Sequence, residues 1–123
     1  MTKACLLDQD VQKLSDKWQT EIVDRGANLS VELRTRIAIA RAVYSNLDIL
    51  LVDDVLANLD KSTAEHIYQK VFKGLLKNKT VILTTSQRRV ADMGENMLSM
   101  KNDTPCQMGS KSSMQIQLQL YDH

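Results

Sequence analysis

Two adjacent carboxylates, Asp53 and Asp54, are the groups in this sequence that are best placed for chemistry. They follow the apolar run Ile49–Val52, which is typical of a strand buried in a parallel sheet. Open parallel sheets bind ligands at the carboxyl ends of their strands, and neighbouring strand residues point to opposite faces. One acid could therefore hold Mg²⁺ while the other orients a water molecule. The alternative is that both acids simply cap the turn after the strand.

Hydroxyl groups stand at two further positions of interest. Ser30 precedes a segment with helical periodicity, and a helix N-terminus with a hydroxyl cap is a natural phosphate site. The run Thr84–Ser86 ends a second predicted strand, so its hydroxyls could reach the same crevice as the acids. The alternatives are plain N-capping for Ser30 and a structural role for the run. His66 is interpreted as solvated, and neither it nor His123 has a Cys or His partner at metal-binding spacing.

Hydrophobic periodicity predicts the elements that position these groups. Residues 31–45 carry apolar side chains at i, i+4, i+7 and i+11, which predicts a helix capped by Ser30. Strands over 48–53 and 80–85, joined by a helix over 61–77, form a βαβ unit that we expect to be right-handed. In that helix, one apolar stripe consists of Ile67, Val71 and Leu75, with Tyr68 and Phe72 beside it and Asn78 as the stop. The smaller predicted elements are a short helix before residue 15, a loop from Trp18 to Asn28 marked by Gly26, a short helix near 87–94, a strand near 96–100, a turn over 102–105 and a brief return strand.

Composition bounds the class of protein. The chain has 123 residues, which favours one domain, and its net charge of +1 argues against a nucleic-acid module. It has no apolar run of about 20 residues and no secretory leader, so no direct membrane span is expected and a cytoplasmic location is predicted. Its two cysteines are expected to be free thiols. Its four glycines lie far apart, so a glycine-rich phosphate loop of the form GxxxxGK[ST] is missing.

The predicted set of strands and helices is typical of part of a larger domain. A parallel sheet needs cover on both faces, and three strands with two substantial helices barely provide it. We therefore expect a partial domain over residues 1–109. Residues 110–123 form a separate tail in which Met114, Ile116, Leu118 and Leu120 alternate with glutamines, as in a half-buried strand, a disordered segment or an exposed edge.

A phosphoacceptor receiver domain also places acids after an apolar strand. It requires a third Asp at the end of another strand, and no apolar strand between Asp54 and Thr84 ends in Asp. The receiver interpretation is therefore set aside.

Longer stretches of the sequence carry a resemblance to a known family. The run DRGANLSVELRTRIAIARAVYSNLDILLVDDVLANLD and the later run KNKTVILTTSQ resemble the ATP-binding cassette of ABC transporters. The nearest likeness is to the multidrug-resistance-associated and sulfonylurea-receptor subfamily, subfamily C, over roughly residues 4–109. The resemblance implies an α/β fold with a partial P-loop NTPase-type parallel sheet. That part holds the signature helix, the Walker B strand and the βαβ unit, and the Walker A half is missing.

The resemblance also implies roles for single residues, with ATP and Mg²⁺ as cofactors. It places Leu29–Leu33 at the LSGGQ signature, Asp53 as the magnesium-associated acid, Asp54 at the catalytic glutamate, Asp60 in the D-loop and Ser86 at the switch histidine. Ser30 and Asp60 are then the nucleotide-binding residues. Another cassette or the transmembrane domains of a transporter are the implied partners, so association with a membrane would come only through that partner.

Several departures from the family pattern bear on activity. Val31 and Glu32 occupy signature positions where glycines let backbone N–H groups approach the γ-phosphate. The charge of Glu32 favours the helix dipole by about 0.3–1 kcal/mol, but a phosphate about 4 Å away would repel it by about 4 kcal/mol at an effective dielectric near 20. Ser86 cannot supply an imidazole, and losing one positioned donor lowers a rate by about 10²–10³. Asp54 is one methylene shorter than glutamate.

These departures predict a degenerate, truncated cassette that does not hydrolyse ATP, derived from a protein whose function is ATP-driven transmembrane transport. The alternatives are a non-functional truncated or pseudogene-like product, a binding module that docks on another cassette, and an active ATPase.

Overall fold

The computed structural model describes residues 1–101 and 104–110, and these fall into two compact units that divide between Thr84 and Thr85. The first unit contains α1 (Leu7–Val11), α2 (Val31–Tyr44), β1 (Ile49–Asp53), α3 (Lys61–Ile67) and β2 (Thr80–Thr84). It also contains 3₁₀ turns at Lys17–Gln19 and Val55–Asn58 and a π-helix at Tyr68–Leu75. The second unit contains α4 (Arg88–Ala91), β3 (Asn96–Lys101) and β4 (Thr104–Ser110).

Helix α2 is the longest helix of the described chain, and it matches the prediction from periodicity. It begins after Ser30, whose side-chain hydroxyl accepts a hydrogen bond from the backbone N–H of Leu33 at 3.1 Å. Its buried face carries Leu33, Ile39 and Ala40, together with the charged side chain of Arg36. The spacing predicted Leu33, Ile37, Ala40 and Tyr44 as one face, and of these Leu33 and Ala40 are buried whereas Tyr44 is 81% exposed. The apolar spacing therefore predicted the helix but only part of the face that it buries.

Strands β1 and β2 pair in parallel, as predicted, with Ile49 opposite Thr80 and Asp53 opposite Thr84. Since the helical crossover α3 joins them, the first unit contains the predicted βαβ unit. Parallel pairing and mixed helix and strand content are consistent with an α/β fold of the partial P-loop NTPase type.

The prediction that the first strand is buried is wrong for one of its faces. Leu50 is 6% exposed, whereas Leu51 is 78% exposed. Ile49 and Ile82 lie on the same face as Leu51 and are also exposed, at 62% and 53%. A parallel sheet is buried only where layers pack on both sides, and within the described residues one face of this pair has no second layer.

The crossover helix covers residues 61–75 of the predicted range 61–77, but its second half is a π-helix. The backbone N–H of Leu76 donates to the carbonyl of Val71 at 2.8 Å, which is an i to i−5 bond. The wider turn changes the buried stripe: Ile67 and Val71 are fully buried, but Leu75 is 49% exposed and Leu76 is 5% exposed. The predicted stripe is therefore wrong at Leu75. The π-helix also ends at Leu75 instead of reaching Asn78.

The second unit is built around an antiparallel hairpin. β3 pairs with β4, with a register shift between Ser99 and Met100. The short helix, the strand and the return strand were all predicted. The prediction of a turn over residues 102–105 is wrong at Thr104 and Pro105, which belong to β4 and pair with Lys101 and Met100. Residues 102–103 and the predicted tail from residue 111 onward lie outside the described residues. No helix in the described ranges has both the length and the apolar character needed to cross a membrane.

Candidate functional site

The carboxyl ends of β1 and β2 bring an acid and a hydroxyl together. Asp53 and Thr84 are paired across the two strands and are both exposed. The Thr84 hydroxyl donates to Oδ1 of Asp53 at 2.5 Å. This hydrogen bond fixes the orientation of the Asp53 carboxylate while leaving its second oxygen accessible to a cation.

Asp54 lies just past the end of β1, where the backbone changes direction. Its φ of 46° and ψ of 25° are in the left-handed region, which few residues other than glycine adopt. Its N–H donates to the carbonyl of Thr84 at 3.1 Å, and its own carbonyl accepts from the N–H of Ala57 at 3.1 Å. Because Asp54 is outside the extended strand, the alternation of strand side chains does not determine its direction. The prediction that rested on this alternation does not apply to it.

Asp60 caps α3, and its carboxylate is committed to the first turn of that helix. Oδ1 accepts from the N–H groups of Ser62 at 2.9 Å and Thr63 at 3.1 Å. The side-chain hydrogen bond of Thr63, followed by these backbone N–H groups, lowers the pKa of Asp60 below its ordinary value. Asp60 is therefore held as a carboxylate at the start of α3.

The start of α2 contains three residues of the signature-like run, namely Ser30, which matches the signature, and Val31 and Glu32, which depart from it. Ser30 uses its hydroxyl to cap the N–H of Leu33. Val31 is 55% exposed at the first position of the helix. The carboxylate of Glu32 lies 3.5 Å from the guanidinium of Arg36, one helical turn further on. The charge of Glu32 is thus partly offset by a residue of its own helix.

Arg36 links α2 to the segment around α1, and the sequence analysis did not identify it. Its guanidinium contacts the Asp10 carboxylate at 2.5 Å and donates to the backbone carbonyl of Leu6 at 2.6 Å, while its side chain is 8% exposed. Partial burial works to raise the pKa of Asp10, but hydrogen bonds from Arg36 and Lys13 outweigh it, so the pKa is lowered. The i, i+4 spacing of Glu32 and Arg36 could have indicated half of this network.

The loop before α2 is held by its own polar contacts. The side-chain amide of Asn28 donates to the carbonyl of Glu21 at 2.9 Å. Gly26 has a φ of +92°, and a Cβ at this position would lie 2.9 Å from Cδ of Arg34. Glycine is therefore favoured here by its conformation, as its role in the predicted loop suggested, while the close Arg34 side chain is exposed and able to move aside.

Ser86 and Thr85 belong to the second unit, immediately after β2. The Thr85 hydroxyl accepts a hydrogen bond from the N–H of Gln87 at 3.1 Å, so it has a local role in starting α4. The structure thus brings Asp53, Asp54 and Thr84 together through hydrogen bonds. Ser30 and Asp60 each cap their own helix.

Asp53 and Asp54 could hold a metal ion only if a bound ligand and water supplied the other coordinating atoms. In the part of the chain that the structure describes, no three His, Cys, Asp or Glu side chains form a group that could hold a metal ion. Mg²⁺ is commonly held by one or two carboxylates together with substrate phosphates and water. Asp53 suits an ion of that kind. The interpretation of His66 as solvated is wrong in part, since its Nε2 is enclosed with no hydrogen-bond partner.

A parallel βαβ unit with acids after its first strand is consistent with part of an α/β domain of the P-loop NTPase type. Comparison with known proteins identifies the family. Over 108 residues the chain is 36% identical to the Dictyostelium discoideum protein "ABC transporter C family member 3", covering 88% of the chain and 8% of that protein. It is 42% identical over 99 residues to the Caenorhabditis elegans "Multidrug resistance protein mrp-7", covering 79% of the chain and 6% of that protein. It is 38% identical over 115 residues to the Schizosaccharomyces pombe "ATP-binding cassette transporter abc1", covering 92% of the chain and 8% of that protein. No family model matches the chain.

These matches show that the chain belongs to the ABC transporter C family, as the resemblance indicated, with residues that correspond to a stretch of the ATP-binding cassette. It spans 8% of the length of the first of these relatives.

Proposed function

We propose that this chain is the signature-to-switch stretch of a degenerate ATP-binding cassette, from a transporter that moves its substrate across a membrane at the expense of ATP. In this proposal the chain contributes a docking surface to another cassette or to transmembrane domains on the cytoplasmic side. The half-site that it contributes does not hydrolyse ATP.

The observation that carries the proposal is the arrangement at the start of α2. In the family that the chain resembles, glycines stand at positions 31 and 32, and their backbone N–H groups approach a phosphate. In this chain, position 31 carries the branched side chain of Val31, which is 55% exposed. The Ser30 hydroxyl accepts from the N–H of Leu33, and its own O–H remains able to donate to a phosphate. The defect at the start of α2 is therefore the side chains at positions 31 and 32 and not the Ser30 cap.

The contact of Glu32 with Arg36 moderates one of the two defects. An unpaired Glu32 carboxylate would repel a phosphate strongly. The Arg36 guanidinium lies 3.5 Å away, but Asp10 shares it at 2.5 Å, so it offsets only part of the Glu32 charge. Charge repulsion and crowding by the side chains at positions 31 and 32 therefore both oppose close approach of a phosphate.

Two other residues support loss of hydrolysis. Asp54 has a shorter side chain than glutamate, and its backbone is bonded to Thr84 and Ala57 in a left-handed turn. A water poised for a glutamate would lie beyond its carboxylate. Ser86 has no imidazole to donate to a γ-phosphate. Asp53 alone keeps a geometry suited to Mg²⁺ bound by phosphates.

The experiment replaces the matching stretch of a C-family relative with residues 4–109 of this chain and measures Mg-ATP hydrolysis in membranes. We expect hydrolysis at the affected site to fall by about 10² or more, because at least one positioned donor is lost. Restoring Val31→Gly, Glu32→Gly, Asp54→Glu and Ser86→His together should recover most of it, whereas Lys61→Gln should recover none. Hydrolysis at the parent rate without restoration would contradict the proposal.

Docking is tested separately, by co-purification of the tagged chain with a C-family transporter. A complex that survives purification supports the binding role. Failure to bind any cassette or transmembrane domain would favour the alternative of a non-functional product.

A further inference from the structure

A cavity of about 420 Å³ opens in the first unit, between α1, the loop before α2 and the last two turns of α2. It lies apart from Asp53 and Asp54, since all its lining residues are within the first 45. Its volume is within the range of sites that hold small organic ligands.

The walls of the cavity are apolar and well packed. Leu7 and Val11 from α1 are 4% and 5% exposed, and Leu29 and Ala40 are 8% and 5% exposed. The side chains of Ile37 and Leu14 complete the wall. An apolar wall of this kind binds a hydrocarbon segment by removing it from water.

The charged side chains that line the cavity are all cationic. They are Lys17, in the 3₁₀ turn after α1, and Arg41, in the last turn of α2. No Asp or Glu is among the lining residues, and the structure gives neither cation an ion-pair partner among the described residues. A ligand with one negative end would thus meet two positive charges and no opposing one.

The segment that bears Lys17 is locally ordered. The hydroxyl of Thr20 donates to the carbonyl of Lys17 at 2.8 Å, and the N–H of Lys17 donates to the carbonyl of Leu14 at 3.2 Å. Trp18, which is 54% exposed, lines the opening beside them. Backbone bonds of this kind order the main chain that carries Lys17, so only its side chain has to be ordered when a ligand binds.

We propose that this cavity binds a small amphipathic anion, with a hydrocarbon chain against the apolar wall and a carboxylate between Lys17 and Arg41. The cavity uses none of the residues at the ends of β1 and β2, and Leu29 is its one lining residue that also belongs to the signature-like run Leu29–Leu33.

The test uses the intrinsic fluorescence of Trp18, the single tryptophan of the chain. Decanoate is titrated below the concentration at which it forms micelles, and decanol serves as the uncharged ligand of equal chain length. We expect saturable quenching or a spectral shift with both ligands, and tighter binding of decanoate. Raising the salt concentration should weaken decanoate binding and leave decanol binding nearly unchanged.

Substitutions separate the two parts of the site. Lys17→Gln and Arg41→Gln should each weaken decanoate binding about two- to fivefold, as expected for an exposed ion pair, with little effect on decanol. Ala40→Leu fills the cavity and should weaken both ligands. Lys3→Gln removes an exposed lysine that does not line the cavity, so binding should be unchanged.

The proposal is overturned if decanoate and decanol bind equally to the unaltered chain. It is also overturned if neither Lys17→Gln nor Arg41→Gln reduces the preference for decanoate over decanol. It is also overturned if the fluorescence of Trp18 changes only in the presence of micelles or of phosphatidylglycerol vesicles, since the partner would then be a lipid surface.

Discussion

Arg36 connects groups that the sequence separates widely. Its guanidinium reaches Asp10 and the carbonyl of Leu6 on one side and Glu32 on the other, and its side chain is 8% exposed. A planar guanidinium can make several such bonds in a fixed geometry, which a lysine cannot reproduce. The segment around α1 and the start of α2 are therefore joined through one side chain.

Replacing Arg36 with methionine keeps most of the aliphatic volume and removes the charge. We expect Arg36→Met to lower the free energy of unfolding by about 1–3 kcal/mol, because a buried network of charge-assisted hydrogen bonds is lost. Urea denaturation followed by circular dichroism measures the change. Arg34→Met on the exposed side of the same helix is the matched control and should lie within about 0.5 kcal/mol of the unaltered chain. Equal losses in the two variants would contradict a structural role for the network.

The lowered pKa of Asp60 makes part of the stability depend on pH. A carboxylate whose folded pKa is below its unfolded value, about 3.9, contributes stability that is present above that value and is lost as pH falls through the folded pKa. Asp60→Asn keeps the acceptor oxygen for Ser62 and Thr63 but does not titrate. Thermal unfolding of this variant between about pH 5 and 2 should therefore be less sensitive to pH than that of the unaltered chain.

Thr63→Val provides an internal check on this prediction. It removes the hydroxyl whose hydrogen bond is the largest cause of the lowered pKa at Asp60, so it too should reduce the pH dependence. A pH dependence that is unchanged in both variants would show that Asp60 does not contribute to it.

Among the helical elements, the crossover shows how a change of pitch alters which residues are buried. A stripe at i, i+4 and i+8 assumes about 3.6 residues per turn. In the π-helix Tyr68–Leu75 each turn holds more residues, so Leu76 takes the buried position that Leu75 would have had. The adjacent residues Leu75 and Leu76 therefore form a matched pair for measurement.

We expect Leu76→Ala to lower the free energy of unfolding by about 2–4 kcal/mol, since it removes a side chain that is 5% exposed. Leu75→Ala should cost less than about 1 kcal/mol, because this side chain is 49% exposed. Equilibrium unfolding in urea distinguishes the two. The reverse order would indicate an ordinary α-helix through this segment.

The elements that could be predicted from sequence are those whose pattern is local. The Ser30 cap and the apolar spacing of α2 lie within adjacent turns, so they predicted the helix and part of its buried face. The run before Asp53 likewise predicted a strand and its parallel partner. Burial of β1 could not be predicted, because cover for a sheet face comes from residues distant in sequence. The contact between Arg36 and Asp10 could not be predicted, because ordinary helical periodicity does not indicate it. The π-helix could not be predicted for the same reason.

For the molecule as a whole, one apolar sheet face and a nearly balanced charge occur together. Leu51, Ile49 and Ile82 are exposed on one side of the β1–β2 pair, and the net charge is +1. A contiguous apolar surface combined with little net charge favours association with other surfaces. The docking role proposed for the chain is compatible with this face.

Leu51→Lys should reduce self-association of the purified chain, because a charge at the centre of the exposed face must be desolvated before two such faces meet. Sedimentation velocity at several protein concentrations measures the effect. Gln69→Lys adds the same charge at another exposed position and is the control. Should both variants reduce association equally, net charge and not the sheet face would be responsible.

Two of the long-range hydrogen bonds of the first unit close loops of nearly equal length. The bond from Arg36 to Leu6 joins residues 30 apart, and the bond from Thr84 to Asp53 joins residues 31 apart. The chain entropy lost on closing each loop is therefore nearly the same. The loops share no residue, so closing one does not shorten the other. The entropy of loop closure therefore imposes no order on the two.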